Sequence, residues 1–223
     1  MTPSPSAAGS ARLVLVGAGG AGHEVAAMIS SAVGWRGAHG IGDVVFVDDT
    51  ARGPGVVSTV EAHVPRPGDL ALCTIADPSA RRRVTGALAE KGAVFTTFVH
   101  ETAILLAGAE LGEGSVLFPH VVVSTSTRIG RHALFNTGAL VGHHVVVGDH
   151  VSVHGYAQLL GNVTVGDAAV VGSSATVLPR ARIGAGATVG AGSVVLRRVA
   201  PGDTVFGNPA VVVAPAGRGA GRA

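Results

Sequence analysis

The chain has few of the residues that staple a protein together or anchor it. It carries one cysteine in 223 residues, Cys73, which excludes an internal disulfide framework and fits a reducing compartment. Its opening, MTPSPSAAGSARLVLVGAGG, lacks the basic region that precedes the apolar core of a signal peptide. No apolar run approaches the roughly 18 uninterrupted residues that a spanning helix requires. The expected setting is therefore soluble and cytoplasmic, with no membrane partner. Charged residues make up only 13% and the formal net charge is +2. The one basic run, Arg81–Arg83, reads as a solvated helix face. Aromatics are 4% of the chain and do not interleave with basic residues, so a nucleic-acid surface is not expected.

Glycine and aliphatic side chains fill the space that is left. There are 34 glycines, and 47% of residues are apolar. A core made of Val, Ile, Leu and Ala with many tight turns follows. The text falls into two halves. From residue 12 to about 100 it alternates strand and helix, as an α/β unit with a parallel sheet does. The spacing predicts strands over 12–17, 43–49, 69–75 and 93–100, and helices over 21–33 and 77–92. Asp77 is placed to cap the second helix, with Pro78 at its first position and Gly92 closing it.

Beyond residue 100 the period changes. Steps of six from Leu105 reach Leu111, Leu117, Val123, Ile129, Phe135, Val141 and onward to Val195, and every one is a large apolar residue. Two places before each, from Leu111 onward, stands a small or β-branched residue, and glycine often follows. Six is not a multiple of 3.6, so a helix would smear this stripe around its cylinder. Short flat strands joined by turns, each with one large side chain pointing inward, satisfy it: a hexapeptide β-helix.

Residues 105–210 resemble the left-handed β-helix of hexapeptide acyltransferases. Together with VGAGGAGHEVA and FVDD in the first half, the chain from about 12 to 212 is similar to the sialic acid O-acetyltransferase and UDP-amino-sugar N-acetyltransferase family. The resemblance implies an α/β Rossmann-like unit followed by an all-β left-handed parallel β-helix. Three hexads would make one triangular coil, so that residues eighteen apart stack. The expected boundaries are a disordered start at 1–11, a nucleotide-sugar-binding unit at 12–100, the β-helix at 101–200, and a closing segment and tail at 201–223. The implied chemistry is transfer of an acetyl group from acetyl-CoA to an amine or hydroxyl of a nucleotide-linked amino sugar, usually carried on UDP, in a homotrimer.

The site residues follow from the same resemblance. In FNTGALVGHH, His143 falls at the family's general base, where a neutral imidazole takes the nucleophile's proton. The family has an acid at the next position, and this chain has His144. His144 is thus a second candidate base, and Asp149 a candidate for the missing acid. The coenzyme positions carried over are Ser152, Ser173 and Ala191, with His154 beside them. His120, His132 and His150 are expected on solvent-facing turns. Gly17, Gly19 and Gly22 satisfy a phosphate-loop spacing between a strand and a helix. The substrate positions carried over are Gly19, Gly20, Ala21, Asp48 and Asp49, with the segment 74–77 at the same sheet edge. A dinucleotide enzyme is disfavoured, because nothing after the short α/β unit supplies hydride chemistry. Cys73 lies in the α/β half, away from any nucleophile–base pattern, so direct attack on the thioester is expected. No metal is expected. Two alternatives stand beside this reading: a zinc enzyme like the γ-class carbonic anhydrases, which use three histidines on the same solenoid, and a non-catalytic solenoid that binds a sugar nucleotide.

Overall fold

The computed structural model describes residues 11–216. The disorder expected at the start falls outside these residues except at Ala11, which opens the first strand. Of the closing segment and tail expected at 201–223, residues up to 216 are described, and Val211–Ala214 is a strand.

The α/β unit is built on strands β1 (Ala11–Val16), β2 (Ile41–Val47), β3 (Val56–Ser58) and β4 (Leu70–Cys73), with helices α1 (Gly20–Ser31), α2 (Val33–Ala38) and α3 (Pro78–Glu90). The strands form one parallel sheet in the order β3-β2-β1-β4. Strand alternation splits the core in two. Leu13, Leu15 and Leu72 face α1 and the second half of the chain, joining Val25, Ile29 and Phe98. Val14, Val16, Ala71 and Cys73 face α3, against Val84 and Leu88. Helix α3 starts as its sequence dictates. The Asp77 carboxylate accepts the Ala80 amide at 2.6 Å, and Pro78 occupies the first turn. Gly92 closes the turn at a φ of +83°, where a Cβ would be strained.

The segment 93–100 is not one strand. Val94 and Thr96 bond across to Ala71, and Phe95 packs with the α3-side core. Phe98–Val99 instead pairs with Val116–Leu117 and begins the solenoid. Phe95 and Phe98 serve different cores, so the chain turns between sheets there. The short helix α2 and strand β3 were also absent from the expected order.

The second half is a parallel β-solenoid of two-residue strands stacked in three sheets. Residues eighteen apart pair, as Leu134 with Ser152, Leu140 with Gln158, and Val146 with Thr164. From Leu117 to Val195 every sixth residue is buried, and so is every small residue two places before it, from Ser115 to Ser193. The apolar prism is therefore continuous. The last coil is shorter, since Arg182 pairs with Arg198 and Thr188 with Thr204. Val211–Ala214 then pairs antiparallel to Thr204–Phe206 and ends the stack.

The three sheets give three faces and three corners per coil. The face that carries Val116, Leu134 and Ser152 receives the α/β unit. The corner that carries His143 joins the other two faces and is therefore the vertex opposite that unit.

Candidate active site

The glycine loop bounds a cleft of about 440 Å³ lined by Gly19, Gly20, Asp49, Thr74, Ala76 and Arg83, among others. The glycines divide into two kinds. A Cβ on Gly22 would lie 2.0 Å from the Gly17 carbonyl oxygen, and Gly17 itself has a φ of +106°, so these two let the loop fold on itself. Gly19 and Gly20 meet nothing within 4 Å, so their surface belongs to the cleft. Gly19 caps α1 without a side-chain bond and the first turn holds no acid. The first turn of α1, at the edge of the cleft, therefore keeps backbone donors that no capping side chain takes up.

The paired acids have different duties. Asp48 accepts the amides of Ala18, Thr50 and Ala51 and the Thr50 hydroxyl, which hold its carboxyl down at about 2. It braces the loop, with three of these bonds on Oδ1 and one, from Ala18, on Oδ2. Asp49 is exposed and uses one oxygen on the Val60 amide at 2.8 Å, leaving the other for a ligand. Thr74 closes the loop from beneath by donating to the carbonyls of Val16 and Gly17.

Toward the solenoid the cleft adjoins a narrower pocket lined by Ala21, Glu24, Asn136, Ser152 and His154. Ser152 is only 3% exposed; it donates to the Ala76 carbonyl and accepts from Arg81, both at 3.0 Å. It belongs to the domain junction. Ser173 and Ala191 lie on neighbouring coils at the next corner and are exposed. His154 is half-buried, and burial and the Arg81 charge lower its pKa, so it is neutral at pH 7.

His143 and His144 sit exposed at the opposite vertex. Their Nδ1 atoms are 3.0 Å apart, with the rings edge to face. The Nε2 and Cε1 edge of His143 rests over Gly161 on the next coil, where a Cβ would come within 2.6 Å of Nε2. His144 takes the turn position with a φ of +56°. The single chain does not bring this pair to its own glycine cleft.

Two expectations fail here. Asp149 does not orient the histidine pair: it accepts the Arg131 amide at 2.7 Å and the Arg131 guanidinium at 3.0 Å. His132 does not face solvent either. At 7% exposure it lies under α3, edge-on to Phe95 and stacked on His150 at 5.0 Å. Burial first, then the charges of His150 and Arg131, push its pKa down to about 4. His120 does lie on an exposed turn. Among the described residues no three His, Cys, Asp or Glu side chains converge as metal ligands do.

The sequence reading missed Arg81. It is 0% exposed and spends all five donors: on the carbonyls of His132, Ile75, Ala76 and His150, and on the Ser152 hydroxyl. These bonds pin the segment 74–77, and with it one wall of the cleft, to the solenoid. A basic run was the only signal, and it pointed to solvent.

The bacterial transferase hexapeptide family (six repeats) matches residues 162–197. This stretch lies within the solenoid and follows its six-residue period. The chain is 31% identical over 115 residues to GDP-perosamine N-acetyltransferase of Escherichia coli O157:H7, a match covering 49% of this chain and 52% of that one. The chain thus spans about half the length of that curated relative. Solved structures agree over more of the chain. The acetyltransferase domain of PglB from Neisseria gonorrhoeae FA1090, in complex with acetyl coenzyme A, superposes with a TM-score of 0.83 at 29% identity, covering 92% of this chain and 100% of that one. PerB from Caulobacter crescentus, in complex with CoA and GDP-perosamine, superposes with a TM-score of 0.79 at 29% identity, covering 90% and 96%.

Proposed function

We propose that the protein transfers the acetyl group of acetyl-CoA to the amine of a nucleotide-linked amino sugar. The observation that carries the reading is His143, an exposed imidazole whose ring is fixed by the Nδ1 contact to His144. When His143 Nδ1–H donates to His144 Nδ1, the lone pair of His143 is left at Nε2. That nitrogen takes the proton of the sugar amine as the amine adds to the thioester carbonyl. The tetrahedral intermediate collapses, the C–S bond breaks, and the proton passes from the imidazolium to the departing CoA thiolate. No enzyme nucleophile takes part. Cys73 is fully buried, and its thiol is pushed up to about 11.

The nucleotide is assigned to the Rossmann-like unit. The α1 amides at Gly20 and Ala21 meet its phosphates, and the free oxygen of Asp49 meets a nucleoside hydroxyl or base edge. Asp48 acts through the loop rather than on the ligand. Ser173, Ala191 and His154 are placed along the coenzyme's path, while Ser152 supports it from the junction. The vertex position of His143 makes a lone chain incomplete. A homotrimer closed by left-handed β-helices side by side sets the base of one protomer against the cleft of the next. The single buried thiol suits a cytoplasmic enzyme.

The similarity to a GDP-perosamine N-acetyltransferase, and to PerB bound to CoA and GDP-perosamine, supports an amine as the acceptor. The test is thiol release on mixing the protein, acetyl-CoA and a panel of GDP-, UDP- and dTDP-linked amino sugars. Release with at least one acceptor, abolished in His143→Ala, is expected. Silence across the panel with coenzyme still bound would leave a non-catalytic binding solenoid.

A further inference from the structure

The run Arg81-Arg82-Arg83 is divided by the geometry of α3, whose successive side chains point about 100° apart. Arg81 is driven into the domain junction. Arg82 lines a hollow with Phe95, Arg131 and His150, and shares an open one with Arg83 and Glu90, but it does not reach the glycine-loop cleft. Arg83 lines the glycine-loop cleft, across from Gly19, Gly20 and Asp49. It is exposed, and among the described residues it bonds to no acceptor.

The cleft's own charges make Arg83 unusual. Of its lining residues only Arg83 is cationic, while Asp48 and Asp49 both supply carboxylates. A diphosphate entering beside two carboxylates meets repulsion that the α1 amides alone, with the half-charge of a helix terminus, offset only in part. A guanidinium offers planar, paired donors matched to phosphate oxygens. We infer that Arg83 binds the diphosphate of the nucleotide-linked sugar and sets the preference of this cleft for diphosphates over nucleosides.

The inference rests on the acetyltransferase reading above, so its test measures binding apart from transfer. Calorimetry would compare GDP, UDP, guanosine, uridine and CoA on the wild type, Arg83→Ala, Arg83→Lys and Arg82→Ala. For the diphosphate that the wild type prefers, Arg83→Ala should weaken binding about ten- to a hundredfold, and Arg83→Lys should recover part of it. The matching nucleoside and CoA should bind every variant alike. Arg82→Ala, which removes the same charge one residue away, should stay within about twofold of wild type. In steady state, Arg83→Ala should raise KM for the sugar nucleotide and leave KM for acetyl-CoA unchanged.

Equal weakening by Arg82→Ala and Arg83→Ala would reduce the effect to net charge and overturn the inference. So would unchanged diphosphate binding in Arg83→Ala, while the acetyltransferase reading would survive. Weaker CoA binding would assign Arg83 to the coenzyme's diphosphate and overturn it as well. A wild type that bound neither GDP nor UDP would sink both.

Discussion

His143 and His144 meet through their Nδ1 atoms at 3.0 Å. An imidazole accepts this bond as a carboxylate would, but it brings no negative charge to steady the imidazolium that the proposed proton transfer would form on His143. Orientation is supplied and electrostatic support is not. His143→Ala should therefore lower kcat/KM by roughly a hundredfold or more, and His144→Ala by about tenfold through lost orientation. His144→Asp should restore activity and move the acid limb of the pH–rate profile. An ionised neighbour keeps the base protonated to higher pH, so the limb should shift upward. Aspartate is the suitable replacement because it tolerates the positive φ of that turn. A larger loss in His144→Ala than in His143→Ala would reverse the two roles.

Gly161 sets the height of the His143 ring. An alanine Cβ there would come within 2.6 Å of Nε2 and 2.7 Å of Cε1. The ring is the free end of a flexible side chain, so it swings aside rather than breaking the coil. Gly161→Ala should keep its Tm close to wild type yet lose roughly tenfold or more in kcat/KM, since displacement of about 1 Å is costly to catalysis. Kinetics and a melting curve on the same preparation test this. A Tm drop that matched the activity loss would point to damage of the coil instead.

Arg81 holds the two halves of the molecule together with a buried charge and no carboxylate bonded to it. Carbonyl and hydroxyl dipoles take all five of its N–H groups, so the charge is solvated by the protein itself. Arg81→Met fills the space but leaves several buried acceptors unbonded. The expected destabilisation is about 3 kcal/mol, read from denaturant unfolding. Arg81→Lys should be milder, since three donors replace five.

The solenoid was legible because its rule is local. One large residue in every six, with a small one two places before it, needs no knowledge of distant contacts, and the buried set from Leu117 to Val195 follows it. The rule ends where the last coil loses two residues, which a six-residue grid cannot foresee. The junction was illegible for the opposite reason. Arg81 reaches His132 and His150 across 51 and 69 positions, and nothing in the run Arg81–Arg83 distinguishes the buried arginine from its neighbours. The histidines show the same limit. His132, His144 and His150 occupy equivalent turn positions with φ values of 55–59°, yet only docking of α3 decides which are covered. The loop acids were found as a pair, but the division of labour between Asp48 and Asp49 depends on where the amides of Ala18, Ala51 and Val60 arrive.

His132 gives this docking a pH dependence. Burial pushes its pKa down to about 4 in the folded protein, against an ordinary value near 6.5. Between those values the unfolded chain binds a proton that the folded chain excludes, so stability falls as pH drops from about 6.5. The loss is complete below about 4, where both states are protonated. His150 and His154 are lowered in the same direction, also first by burial, and add to the slope. Glu113 and Asp149 are the nearby acids and Arg81 and Arg131 the nearby cations; at His132 burial leads, His150, Arg131 and Arg81 lower the pKa further, and Asp149 opposes them. His132→Asn keeps a residue suited to the positive φ and removes the largest of these titrations. Its Tm, followed from pH 7 to pH 4, should fall less steeply than that of the wild type. An unchanged slope would mean that His132 is protonated as readily in the folded chain as in the unfolded one, and that its cover by α3 and Phe95 admits water.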